Sequence, residues 1–389
     1  MSCYVSSKEN RYYAAIEQSF GYAATVTEDN RLPAIKLEAS QRTDRPQRRD
    51  KTGTRTFLGL PEQLRRETSF EITNYMTSWA SGAAAPSYGP LFQAGLGSDP
   101  LVFAGGTVGS LVGVQLRFAA PHGLVSGQGI SCGGEIRFVM AVLDEYEVVL
   151  NAPLTEEQAA GWPVDRTVTY QPASELPSVS IYDHWSPSAA VQRIVAGSVV
   201  DQVGITINGD FHEFLFGGPA ADLIDSASFE SGQAGLTQFP AEPTPAGVDY
   251  ALVPGHLGQV WLGNNPDQFH TLTKARISVN NGVSLRAKEF GFTNPRCIVA
   301  GDRSVTADFS LFEKPDTPTE SLYQASRQRS PISAMFQLGQ QPAQLCGVYL
   351  PSLTPEVPEF HDEEAQLEWR FQSCRAQGLL DDEIYIAFG

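Results

Sequence analysis

Cysteine is scarce in this chain of 389 residues: Cys3, Cys132, Cys297, Cys346 and Cys374 are odd in number and widely scattered, with no C-x-x-C pair and no histidine at ligand spacing. This argues against a disulfide framework and against structural zinc, and leaves free, mostly buried thiols of a protein folded in a reducing cytosol. No stretch approaches the roughly 18 apolar residues of a membrane span, so no membrane helix is expected. The start, MSCYVSSKENRYY, lacks the charged-then-apolar order of a signal peptide, and nothing in it directs export. Catalytic signatures are missing as well. There is no G-x-S-x-G elbow, no Walker loop and no H-E-x-x-H, and the Gly-x-Gly pair at Gly127 to Gly129 has the context of a turn. No enzymatic activity and no cofactor or metal is expected. Positive charge is also short. A formal net charge of -17 argues against a protein that grips nucleic acid, though not against one that nucleic acid slides past.

What is present favours strands. Gly 35 and Pro 26 are generous, and with abundant Val, Thr, Ile and Phe they point to short strands joined by turns, in a chain long enough for two or three domains. The charge is unevenly placed. Residues 36 to 66 hold nine of the 27 Lys and Arg (Lys36, Arg42, Arg45, Arg48, Arg49, Lys51, Arg55, Arg65, Arg66), while the stretch from Glu356 onward is strongly acidic. Such asymmetry suits self-association between complementary faces.

One segment recurs about 245 residues further on. SFEITNYM (69 to 76) leads to PLFQAGLGSDP (90 to 100), and SVTADFSLF (304 to 312) leads to AMFQLGQQP (334 to 342). Upstream lie AIKLEAS (34 to 40) and KARISVN (274 to 280), and downstream SVSIYDH (178 to 184) and QLCGVYL (344 to 350). A period this long is too large for a solenoid and implies duplication of a whole domain.

Local signals fill in the halves. Asn208-Gly209 and Asn281-Gly282, each between alternating runs, predict hairpin turns. Thr317, Pro318 and Glu320 form a capping box that starts a helix running to about Ser330, with a further turn or two expected after Pro331 up to Gly339. In the first copy only a short helix near Leu91 to Ala94 is expected. The run QRTDRPQRRDKTGT (41 to 54) has no apolar residue and predicts a long exposed loop between two strands. Residues 105 to 171, without counterpart in the second half, alternate in short runs and predict a small inserted β domain on the outer surface. The layout is therefore an N-terminal arm and first strand (1 to 33), a first domain (34 to 104 and 172 to 235) carrying the insertion, a linker (236 to 270) and a second domain (271 to 389).

The nearest approach to a reactive site is the polar set Asp183, His184, Asp210, His212 and Glu213. His212 and Glu213 are adjacent in a strand and point to opposite faces, so cross-strand pairing is the preferred reading over a general base or a metal site. Acidic pairs such as Glu363-Glu364 and Asp381-Asp382-Glu383 lack calcium-loop spacing.

The order LTKARISVNNGVSLRAKEFGFTNPRCIVAGDRSVTADFSLF, a helix, LGQQPAQLCGVYLPS and a closing DDEIYIAFG resembles the tail tube proteins of long-tailed bacteriophages. VAGSVVDQVGITINGDFHEFLFGG in the first half looks like the late strands of a divergent second copy. The resemblance implies a mainly β chain of two tandem tail-tube-type β-sandwich domains, each with a flanking helix, plus the small inserted β module. It implies rings stacked into a tube that conducts the genome, in the virion tail, after synthesis in the host cytoplasm. Six such domains close a ring, so a chain with two would form a trimer with pseudo-sixfold symmetry, or a hexamer if the repeat is accidental. Further partners would be tape measure protein and tail terminator or baseplate proteins, with DNA passing unbound. The family's inter-ring loop falls on Arg42, Arg45, Arg48, Arg49, Lys51 and Arg55. Acidic residues are expected to outnumber basic ones on the lumen face. The rival readings are a virion adhesin or carbohydrate-binding β protein, using an aromatic platform on the insertion, and a β-rich hydrolase using Asp183, His184, Asp210 or His212.

Overall fold

A computed structural model describes residues 4–46, 49–60, 64–79, 85–155, 159–244, 251–286, 288–362 and 365–389. The chain is mainly β, and its framework is one run of ten elements followed by a second run of the same kind. The first comprises β1 (Asn10–Ile16), β2 (Arg31–Leu32), β3 (Ala34–Thr43), β4 (Arg66–Tyr75), α1 (Gly89–Leu96), β5 (Val179–Trp185), β6 (Arg193–Ser198), β7 (Gln202–Ile207), β8 (Glu213–Ala220) and β9 (Asp222–Asp225). The second comprises β10 (Gly258–Leu262), β11 (Asp267–Gln268), β12 (Leu272–Asn280), β13 (Ser304–Phe312), α2 (Thr317–Gln328), β14 (Ile332–Leu338), β15 (Cys346–Thr354), β16 (Glu359–His361), β17 (Glu368–Ala376) and β18 (Tyr385–Phe388). Alternation builds the framework strands: in β4, Thr68, Phe70, Ile72 and Asn74 point into the core while Glu67, Ser69, Glu71 and Thr73 point away.

The strand order is the same in both halves, although β15 also pairs with β17 at Leu353 and Thr354 and so links the second half's two sheets. One sheet runs β9-β6-β5-β1-β2 in the first half and β18-β15-β14-β10-β11 in the second; the facing sheet runs β7-β8-β4-β3 and β16-β17-β13-β12. Even the irregularities coincide. The β3/β4 ladder slips between Ala34 and Lys36, and the β12/β13 ladder between Leu272 and Lys274. The β5/β6 ladder slips between Val179 and Ile181, and β14/β15 between Ile332 and Ala334. Bulges are positional features of a fold, so two matched bulges carry more weight than residue identity.

This correspondence corrects the sequence alignment beyond the helix. Phe92-Gln93 lies in α1, whereas Phe336-Gln337 lies in the strand β14, so the shared Phe-Gln is coincidental. SVSIYDH (β5) corresponds to ISAMFQL (β14), one strand earlier than expected. The turn or two of helix expected after Pro331 is β14 instead. Both faces of that strand are buried, so its sequence lacks the alternation that identifies a half-exposed strand. The helix before it agrees with expectation, although its cap is Asp316, whose Oδ1 accepts from the Thr319 amide at 3.0 Å, and it ends at Arg329 with φ 54. The short helix near Leu91 to Ala94 is α1.

The first strand expected within 1 to 33 is β1, which with β2 extends the first half's outer sheet; the stretch 236 to 270, expected as a linker, contributes β10 and β11 to the second's. Asn208-Gly209 stands in the β7/β8 hairpin with Asn208 at φ 62. Asn281-Gly282 does not form a tight hairpin. Asn281 is buried and its Nδ2 donates to the Gly95 and Val200 carbonyls, while Ser284–Leu285 pairs with Ile298–Val299.

The inserted residues form a six-stranded antiparallel sheet over a core of Val108, Leu116, Phe118, Ile130, Val139 and Val148. It does not stand free on the surface. Phe138 stacks on Tyr349 at 5.4 Å between centroids, and the fully buried Arg137 joins Glu135 (2.6 Å), Gln337 (3.1 Å), Gln259 (2.9 Å) and the Pro153 carbonyl (2.9 Å). Burial pulls the Arg137 guanidinium down to about 10, and the adjacent Glu135 carboxylate opposes that drop. At the base of the insertion, Thr167–Tyr170 pairs with β18 and with Leu101–Phe103. Phe103, Phe118, Phe138 and Tyr170 are buried and Arg117 lies over the Tyr146 ring, so of the six aromatic residues read on the insertion Trp162, 45% exposed, is the one open to solvent. The four described cysteines are free, with Cys297 exposed and the others buried; Cys3 lies outside the described residues.

Candidate assembly surface

The two halves meet edge to edge. Strand β7 of the first pairs antiparallel with β12 of the second, from Gln202 opposite Asn280 to Ile207 opposite Ala275. This fuses the two facing sheets into eight strands, β16-β17-β13-β12-β7-β8-β4-β3. By the correspondence above, β7 matches β16 and β12 matches β3. The joint therefore brings together two unlike edges, and the same two kinds of edge stand at the ends: β3, paired only with β4, and β16, paired only with β17, among the described residues. Registers agree at these positions. Thr206 lies opposite Glu213, which lies opposite Tyr75; His361 lies opposite Glu368, which lies opposite Phe312.

The eight-stranded sheet has one face packed on the core and one turned away. The outward face carries the basic residues Lys36, Arg42, Lys274, Arg276, Arg370 and Arg375, and the acidic residues Glu38, Glu67, Glu71, Glu213, Asp308, Glu359 and Glu368. The charges come close to balance, with acidic residues outnumbering basic ones by one. Opposite signs are also neighbours: Arg276 faces Asp308 across strands, and Glu368 lies 2.6 Å from Arg370.

Of the basic loop residues, Arg42 is the penultimate residue of β3, exposed and opposite Glu67. The exposed excursion begins at Asp44, because Gln41 to Thr43 continue the strand. Arg45, Arg49, Lys51 and Arg55 are exposed on it, and none forms a hydrogen bond or ion pair among the described residues. Arg48 and the Glu363-Glu364 pair lie outside the described residues.

The corresponding excursion of the second half, 281–303, packs across one end of the first half. The Arg66 amide donates to the Thr293 carbonyl (3.1 Å), Asn294 Nδ2 donates to Asp222 Oδ2 (2.8 Å), and the Val283 amide donates to Asp201 Oδ1 (2.7 Å). A cleft of about 910 Å³ lies beneath it, lined by Arg42, Arg66, Glu67, Arg286 and Lys288 among others.

The polar set read as a rival site is not assembled. Asp183 and His184 lie on β5 in the outer sheet, where Asp183 is buried against Arg193 (2.5 Å) and His184 stacks on Tyr182. His212 and Glu213 lie at the start of β8 in the facing sheet, and Asp210 is exposed in the turn before it. His212 is buried, with Nε2 at 3.2 Å from the Leu257 carbonyl oxygen and Nδ1 without a partner among the described residues. Burial pushes its imidazole down to about 4. The neutral form is the one that folding favours, so its contribution is whole above the ordinary value of about 6.5 and is lost as pH falls from there toward 4. By pH 4 the expected loss is about 3 kcal/mol. Urea unfolding of His212→Gln should show a shallower fall in stability across this window than the unaltered chain; parallel curves would remove His212 as the cause.

No protein-family model matches the chain, and no curated protein matches it.

Proposed function

We propose that this chain is a structural virion protein that assembles into stacked rings, forming a tail tube of the kind found in long-tailed bacteriophages. The observation that carries the reading is the β7–β12 joint. It joins unlike edges, and one edge of each kind remains at the ends of the sheet, so the same pairing can continue from chain to chain. A repeated head-to-tail contact closes into a ring when its rotation allows, and closure removes the exposed edges that otherwise invite aggregation. With two equivalent halves per chain, three chains make a ring of six equivalent units, as the resemblance in the second half implies.

In that ring the outward face of the eight-stranded sheet lines the channel. Its interspersed charges, with a slight acidic excess, offer phosphates no continuous basic track, and passing DNA is then not held. The inserted module, docked on the outer sheet of the second half, lies on the exterior. Tape measure protein within the channel and terminator or baseplate proteins at the tube ends are the further partners, and the virion tail is the place.

Negative-stain electron microscopy of the concentrated, purified chain tests the reading. Rings or hollow tubes with a central channel are expected, with threefold character in averaged end views from the inserted module. A chain that stays monomeric at all concentrations and ionic strengths overturns it.

A further inference from the structure

We propose that the basic excursion after β3 docks within the ring, onto the acidic connection between β17 and β18 of the adjacent copy, with Arg55 facing Asp381 and Glu383. The proposal rests on the head-to-tail ring above, and concerns which surface the excursion reaches there.

The internal joint supplies the template. Where β7 meets β12, the excursion 281–303 extends from β12 over the end of the first half and reaches the pair Arg66 and Asp222, which stand 3.8 Å apart. The second half holds the equivalent pair. Arg303 immediately precedes β13 as Arg66 begins β4, and it contacts Glu383 at 2.8 Å. In the ladders, Ala196 faces Asp222, and Tyr349 faces Tyr385; two further steps bring Pro351 opposite Glu383, the matching position. Asp222 has a visitor, Asn294, from the other half. Among the described residues Glu383 has no such visitor, and the copy that would provide one sits at the open β16 edge.

Loop length fits the visitor. Arg42 and Glu67, opposite one another across β3 and β4, enclose 24 residues; Asn280 and Ser304, opposite one another across β12 and β13, enclose 23. Counting inward from either end places Thr56 or Phe57 where Asn294 stands, so Arg55 arrives beside the acidic site. The chemistry of the two surfaces is complementary. Among the described residues Arg303 bridges Asp381 (2.9 Å) and Glu383 (2.8 Å) and is their one ion-pair partner, while Asp382 Oδ1 accepts from the Leu379 and Leu380 amides. Leu379 and Leu380 beside them are 92% and 87% exposed, and Phe57 and Leu58 on the excursion are 71% and 54% exposed. Such apolar side chains next to opposite charges mark a surface that association covers.

The test is a charge exchange read by sedimentation velocity and electron microscopy on the full chain. Arg55→Glu and Asp381→Lys are each expected to raise the concentration for half-maximal ring formation at least about tenfold, the scale of one well-placed interfacial charge pair. The double variant Arg55→Glu/Asp381→Lys is expected to recover most of that loss, because the coupling, unlike the single effects, reports the pair itself. Circular dichroism establishes that each variant is folded, as both side chains are exposed. Rings that form at the unaltered concentration but no longer stack would overturn the proposal by placing the excursion between rings. Two losses that add without recovery would also overturn it. If the unaltered chain forms no rings, the tube reading itself fails and this inference with it.

Discussion

Single prolines at Glu38 and Ala39 are expected to separate folding from assembly. Both lie in the middle of β3, beyond its bulge, where neighbouring residues alternate between aiming their N–H at β4 and aiming it outward. One of the two substitutions therefore removes a ladder bond to β4, and costs about 1–3 kcal/mol of stability. The other removes only an outward N–H. Proline is tolerated at such an edge position, and it denies one hydrogen bond to any strand that would pair there. The expected result is one variant that unfolds at the same temperature as the unaltered chain yet forms neither rings nor tubes. Two prolines that both leave assembly intact would show that β3 is not the joining edge. Glu38 contributes to the outward face and is paired locally with Lys36 (2.7 Å), so the variant at that position needs a Glu38→Ala control.

Phe388→Ala is expected to destabilise the chain by about 3–5 kcal/mol, the cost of an emptied aromatic site in a closed core. The ring is 1% exposed and lies 5.2 Å from Phe92, 5.6 Å from Tyr88, 5.9 Å from Trp79, 6.0 Å from Tyr170 and 6.3 Å from Phe214. These neighbours belong to α1, to the segments around it, to the base of the insertion and to β8, whereas Phe388 itself ends the second half's outer sheet. One side chain thus ties three parts of the chain together, with edge-to-face and tilted geometries that add to area burial. A denaturant series would show the midpoint falling with little change in slope, because all three parts unfold together. A loss below about 1 kcal/mol would mean that the cavity collapses freely, against the packing described.

How far the sequence disclosed these arrangements depended on how each element meets solvent. The pairs β3/β4 and β12/β13 each have one wet face, and their alternation was legible; α2 was legible from its breakers and its Pro and Glu near the start, although the cap is Asp316 and not Thr317. The strand β14 is covered on both sides, by the core and by the inserted module, and so lost the period that identifies a strand. Phe-Gln identity then aligned a helix with a strand. The informative matches were polar and easily passed over: Lys36 with Lys274 at the same bulge, Arg66 with Arg303, and Asp222 with Glu383. Composition located an uneven charge but not its geometry, and the mixed, slightly acidic outward face of the large sheet emerges only when strands far apart in the chain are set side by side. The contribution of β2, β10 and β11 was hidden for the same reason, because a two-residue strand such as β2 or β11 has no pattern of its own.

The β7–β12 joint has a kinetic consequence. Between separate chains an edge-to-edge contact forms by collision and depends on concentration, but this one forms inside a single chain, where covalent connection holds the partners at an effective concentration on the order of millimolar. Every second contact around a closed circle is then already made before any two molecules meet. In the proposed assembly, nucleation of the first closed circle would require three bodies rather than six, so its rate would depend less steeply on dilution, and a dilute pool of subunits could begin polymerising when half-length units would still be dispersed.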